Sequence, residues 1–290
     1  MSVSAQAVPG LSILYMCVSL LICFGVPIGL AIWAKVKYKK EFSFMPLLLG
    51  AAGFFVFQII IRVSVLIPLF NSTPWVKGIQ QGSTDAWIYG AILCLTAGLF
   101  EEPVRFAVFS VLKKNHRFQD GLSYGIGHGG IEAILLVGLS YINNIIYSLM
   151  INSGTFEKLI GTLPAAASGQ LQQLQQGLLS LPSTTFLLGG VERFLTIIIQ
   201  IGFTMVVLKG FQTNRKWLYL ILATLLHAVV DYAVVSLQIL KAGPWAIEGV
   251  IFVFAAIALA YIIKQAMDWR RQAAAPQEAF YAEQGQADHP

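Results

Sequence analysis

Apolar residues run for about twenty positions at a time, and polar ones gather between the runs. Segments 11–34, 45–70, 87–112, 122–149, 184–208, 217–240 and 245–263 each reach the length that crosses a hydrocarbon core. None alternates with the period of two that a barrel strand needs, so all seven are expected to be helices. The expected fold class is an all-α integral membrane protein, a bundle of about seven transmembrane helices over residues 1–270. Residues 271–290 form a polar tail rich in Ala, Gln and Glu, expected to be disordered.

The connection 152–183 is too polar for a span. It holds a Gln-rich run, 169–177, in which Leu171, Leu174 and Leu178 recur at helical spacing. A short interfacial helix fits that pattern, serving as a connector or as a lid.

Composition agrees with a membrane protein: 57% of residues are hydrophobic and 11% charged, against about 25% charged in soluble domains. The net charge of +5 is no sign of nucleic-acid binding, because its distribution is that of a topology signal. Lys35, Lys37, Lys39, Lys40, Lys113, Lys114, Arg117, Lys209, Arg215, Lys216, Lys264, Arg270 and Arg271 fall on one side of the expected bundle. Only Lys77, Lys158 and Lys241 fall on the other. The positive-inside rule then places the N-terminus outside and the C-terminus in the cytoplasm of a multi-pass cell-membrane protein. Trp75, Trp87, Trp217, Trp245 and Trp269 lie near span ends, where interfacial anchors belong. Cys17, Cys23 and Cys94 lie within spans without metal-ligand spacing and read as small packing residues. The N-terminus lacks a basic region before its first apolar run and reads as a span, not a cleaved signal.

Against this apolar background a few ionisable groups stand out. A charge in hydrocarbon costs at least a few kcal/mol, so such groups face an interior and usually carry function. The segment 87–112 holds Glu101-Glu102-Pro103-Val104-Arg105. Glu101 and Arg105 are four apart and share a helix face. Adjacent carboxylates repel, so an arginine that pairs with one of them leaves the other suited to acid–base work. The segment 122–149 holds His128 and Glu132, again four apart, with Gly125, Gly127, Gly129 and Gly130 around the histidine. Glycines allow a neighbouring helix or a substrate backbone to approach closely. The segment 217–240 holds His227 and Asp231 at the same spacing.

Depth relates the three motifs. At about 1.5 Å per residue from the nearest cytoplasmic charge, they all reach a layer roughly 12–22 Å in. Independent structural ion pairs need not share a level, so the motifs read as one site. Glu192-Arg193 lies nearer the outer face, where Glu192 supports the site or gates substrate, or simply pairs with Arg193. Arg62 is a lone cation within its span, and Glu192 and Glu132 are its candidate partners.

Glu-Glu-x-x-Arg, aromatic-x-x-x-His and His-x-x-x-Asp, in that order on separate spans, resemble the CAAX-protease and bacteriocin-processing superfamily of intramembrane proteases. The stretch 127–132 and the Glu192-Arg193 pair look most like its YhfC-type branch, described as intramembrane metalloproteases. The resemblance implies hydrolysis of a membrane peptide or protein substrate. It implies Glu101 as the base, with His128 helping to hold the water. His227 and Asp231 would orient and stabilise the tetrahedral intermediate, Arg105 would fix one carboxylate of the Glu101–Glu102 pair, and Glu132 would orient His128. Zinc is the implied cofactor, with His128, His227 and Glu101 as its ligands; a metal-free mechanism in which glutamate and histidine activate water stays open. The chain departs from the pattern at Gln200, where a histidine is expected, and at Asp231, where the better-known CAAX proteases carry asparagine.

Two other classes use similar residues. A proton- or ion-coupled transporter places carboxylates and histidines at mid-membrane, but no inverted repeat is visible. A non-catalytic peptide-binding protein of the immunity type would tolerate loss of Glu101.

Overall fold

A computed structural model describes residues 7–112 and 116–287, and among these every regular element is helical. The long helices are α1 (Gly10–Tyr38), α2 (Phe44–Ser72), α4 (Thr84–Val111), α5 (Phe118–Asn152), α8 (Ser183–Gln212), α9 (Lys216–Ile239) and α10 (Pro244–Ala287). Short helices α3 (Pro74–Lys77), α6 (Phe156–Ile160) and α7 (Ala165–Ser180) join them.

Six of the long helices are long and apolar enough to cross a membrane: α1, α2, α5, α8, α9 and α10. The seventh expected span is the 28-residue helix α4. Its length suffices, but Asp85, Glu101, Glu102 and Arg105 reduce its apolar character. The helix richest in candidate chemistry is thus the one that hydropathy alone does not select.

The centre of the bundle is α8. Within its apolar stretch 67% of residues are buried, against at most 22% in the other five candidate spans. It packs on α1, α5, α9 and α10. The first half of α5 is enclosed as well, because glycines on successive faces bring it close to its neighbours. A Cβ on Gly125 would come within 2.7 Å of Ile201 Cα on α8. One on Gly127 would collide with the Leu47 carbonyl oxygen on α2. The buried aromatic and aliphatic core lies toward the same end, around Phe109, Phe118, Tyr124, Met205 and Leu208.

Two stretches wind more widely than an α-helix. Phe54–Leu66 in α2 and Ile134–Gly138 in α5 are π-helical. Such winding shifts the faces that follow it and often occurs near functional sites. In α2 it leaves Phe54 and Arg62 buried among otherwise lipid-facing residues.

The Gln-rich segment forms α7, as its leucine spacing predicts. Leu178 is buried, and Leu171 and Leu174 pack beside it against Ile151, Phe156, Ile160 and Phe186. The C-terminal course differs from expectation. Helix α10 continues to Ala287, through most of the polar stretch read as disordered, and residues 288–290 lie outside the described part. Alanine, glutamine and glutamate are good helix formers, and here they extend a helix that is already nucleated.

Candidate functional site

The three sequence motifs converge between α4, α5, α8 and α9. His128 Nε2 lies 2.9 Å from Glu101 Oε2. His227 Nδ1 lies 2.8 Å from Glu102 Oε1. The other nitrogen of His227, Nε2, is 3.8 Å from Glu101 Oε2 and 3.7 Å from Asp231 Oδ2. Glu101, Glu102, Arg105, His128, Glu132 and His227 are all buried. The Asp231 side chain is 39% exposed, so it sits where the cluster opens. The cluster borders a cavity of about 210 Å³, lined in part by Glu101, Glu132, Gln200, His227 and Asp231.

Of the two carboxylates Arg105 pairs with Glu102, three residues before it, and not with Glu101. The pairing separates the adjacent carboxylates. Glu102 is tied to Arg105 and His227, while Glu101 turns toward His128 and the cavity.

Gln200 stands in the middle of the cluster. Its amide nitrogen donates to Glu132 Oε2 at 2.8 Å and to Glu101 Oε2 at 3.2 Å. Its carbonyl oxygen accepts from Arg105 Nη2 at 2.7 Å. A neutral side chain on α8 thus links two acids and an arginine from two other helices, α4 and α5. Glu132 is held by this amide and by Arg193 Nη1 at 2.9 Å, whereas the His128 ring reaches Glu101; the expected Glu132–His128 hydrogen bond is not made. Arg193 also pairs with its neighbour Glu192, which joins Glu192 to the cluster at one remove.

Arg62 meets neither of its expected acidic partners. Its Nη2 donates to the Leu93 carbonyl at 2.6 Å and its Nε to Thr96 Oγ1 at 3.2 Å. The π-helical winding of α2 turns it toward α4, which a count of sequence positions could not reveal. Sequence reasoning also passed over Glu248 in α10, whose Oε2 is buried without a partner. It sits in an apolar run with no second motif residue beside it.

Among the described residues, Glu101, His128 and Glu132 offer ligand atoms that all lie within 4.8 Å of one another. Two carboxylates and an imidazole are donors of the type zinc takes. This set has Glu132 where His227 was expected. His227 has Nδ1 committed to Glu102, and its Nε2 faces Glu101 and Asp231.

A helical bundle with six candidate spans, enclosing acids, histidines and a metal-donor set, defines a multi-pass membrane protein. The chain belongs to the YhfC intramembrane metalloprotease family, whose model matches residues 22–255. It is 36% identical over 260 residues to the uncharacterized membrane protein YhfC of Bacillus subtilis (strain 168), covering 87% of this chain and 96% of that one. No solved structure matches it. By family the chain is an enzyme, an intramembrane peptidase with a protein substrate.

Proposed function

We propose that the chain is an endopeptidase that hydrolyses peptide bonds of membrane-associated substrates at the Glu101–His128–His227 cluster. The observation that carries this reading is the convergence of buried acids and imidazoles from separate helices on one small cavity. A salt-bridge network serving stability alone would have no need to border such a space.

Glu101, His128 and Glu132 would hold a zinc-class ion, which when bound would make a water acidic enough to give up a proton near neutral pH. The remaining groups handle protons. Glu102 accepts from His227 Nδ1, which fixes the tautomer and leaves Nε2 free toward the cavity. That nitrogen is placed to take a proton from the attacking water and return it to the leaving amine. Glu101 and Asp231 face the same nitrogen at 3.8 and 3.7 Å. Arg105 offsets the charge of Glu102, and Gln200 bridges and orients the carboxylates of Glu101 and Glu132.

We also read α4 as a seventh span, with the N-terminus outside and the C-terminus cytoplasmic. Support comes from its antiparallel course beside α9. Gly90 of α4 adjoins Val235, Gly98 adjoins Thr224, and the Phe106 ring centre lies 4.7 Å from that of Trp217.

The deciding experiment is zinc content in detergent-purified protein, wild type beside His128→Ala. Near one zinc per chain, lost in the variant, is expected. A folded wild type that neither contains zinc nor takes it up would return the mechanism to a glutamate-activated water. Glu101→Gln should then separate hydrolysis from the other classes, with cleavage down by at least about 100-fold, as expected for loss of an acid–base group.

A further inference from the structure

Beyond the catalytic pocket, toward Arg62, lies a second cavity of about 320 Å³. Glu132, Arg193, Thr196, Ile199, Val230 and Asp231 line both spaces, so a chain lying across the first extends into the second. Arg62 forms part of the wall of the second cavity alone.

The guanidinium of Arg62 is unusual in its surroundings. It is buried, with 7% of its surface exposed, and among the described residues no carboxylate lies within 4.0 Å of it. Every other arginine buried in the bundle has an acid: Arg105 has Glu102, and Arg193 has Glu132 and Glu192. A guanidinium keeps its charge in proteins, so Arg62 brings into the membrane interior a cation with no direct ion pair, its nearest acids Glu101 and Asp231 acting only from a distance. Two of its nitrogens are fixed, Nη2 on the Leu93 carbonyl and Nε on Thr96 Oγ1, and Thr96 is itself held by that carbonyl at 2.9 Å. Nη1 has no hydrogen-bond partner among the described residues and is not enclosed. A rigidly aimed cation on the wall of a cavity, with a donor to spare, is the form of an anion receptor.

We propose that Arg62 binds a carboxylate carried by the peptide substrate, at its C-terminus or on an acidic side chain, and so sets which segment enters the catalytic pocket. The inference rests on the peptidase reading and names a specificity determinant for it. Arg193 pairs with Glu132 and Glu192 on the same wall, which leaves Asp231 as the carboxylate an entering anion meets, a repulsion that opposes a dianionic phosphate more than a single carboxylate. The wall shared with the catalytic pocket favours a peptide over a phospholipid, whose acyl chains would have to follow the headgroup inward.

The test reads binding without turnover, on purified protein carrying Glu101→Gln in neutral detergent. Two pairs of probes serve: acetyl-trileucine as free acid and as amide, and acetyl-Leu-Glu-Leu-amide beside acetyl-Leu-Gln-Leu-amide. In at least one pair the carboxylate member should bind at least tenfold more tightly, and Arg62→Gln should abolish the difference while Arg62→Lys retains part of it. Equal binding within both pairs overturns the proposal whether or not any variant folds. Arg62-dependent stabilisation by phosphatidylglycerol nanodiscs over phosphatidylcholine ones, with no preference for either peptide acid, overturns it in favour of a lipid headgroup. Failure here leaves the zinc and cleavage results standing. A chain that prefers the acids yet never cleaves would instead refute the peptidase reading alone.

Discussion

Gln200 satisfies three charged groups with one amide, and this dictates what its loss would do. Gln200→Leu removes two donors from Glu101 and Glu132 and an acceptor from Arg105 Nη2. Each buried group left short of a partner costs about 1–3 kcal/mol. Arg105 keeps Glu102, and Glu132 keeps Arg193, so the total should stay near 2–4 kcal/mol by the same scale. Unfolding in detergent, followed by melting or by denaturant titration, should register that loss. Gln200→Glu should be worse, because it sets a third carboxylate against two others. A Gln200→Leu protein as stable as wild type would mean that the amide only fills space. The charged members of this cluster were legible in the sequence, because charge in an apolar run is conspicuous and a spacing of four assigns a face. Their partners were not. Whether Arg105 meets Glu101 or Glu102 depends on how α4 is rotated against α8 and α9. Gln200 carries no charge to mark it, and its role appears only when α4 and α5 close on α8.

For α5 the decisive feature is close approach. Its glycines let α2 and α8 come near enough for His128 to reach Glu101 on α4. Gly127→Ala sets a methyl against the Leu47 carbonyl, which is backbone and cannot turn aside. Overpacking of this kind costs about 1–3 kcal/mol. The displaced helix should also weaken the Glu101–His128 contact, so activity should fall further than stability alone predicts. Gly29→Ala on α1 is the control, since nothing lies within 4 Å of an added Cβ there, and it should be neutral or slightly stabilising. Equal melting temperatures for the two variants would refute the close-packing argument. Helix existence was readable because length and apolarity nearly suffice in a membrane. The π-helical winding of α2 was hidden, since the same apolar run serves either winding, and with it went the true neighbours of Arg62.

The whole molecule turns on α4. Six spans would put both termini on one side of the membrane, and seven put them on opposite sides. Hydropathy omits α4 because of the residues that give it its chemistry, yet 28 residues make a helix about 42 Å long, more than the roughly 30 Å of a hydrocarbon core. Beside α9, which is apolar enough to span, α4 adjoins Val235 near one end and Trp217 at the other. On the proposed seven-span reading α4, matched end to end with α9, crosses beside it, and its charged groups turn to His128, His227 and Gln200. Single cysteines, introduced after replacing Cys17, Cys23 and Cys94, report the outcome in intact cells treated with a membrane-impermeant maleimide. Gly82→Cys, ahead of α4, and Gly154→Cys, after α5, should be labelled from outside. Lys39→Cys, Asn214→Cys and a cysteine at Arg271 should be labelled only after the membrane is opened. If Gly82 and Gly154 instead report opposite sides, α4 does not cross. The acids of Glu101 and Glu102 would then approach His128 and His227 from a re-entrant helix, and the site would open to a different face of the membrane.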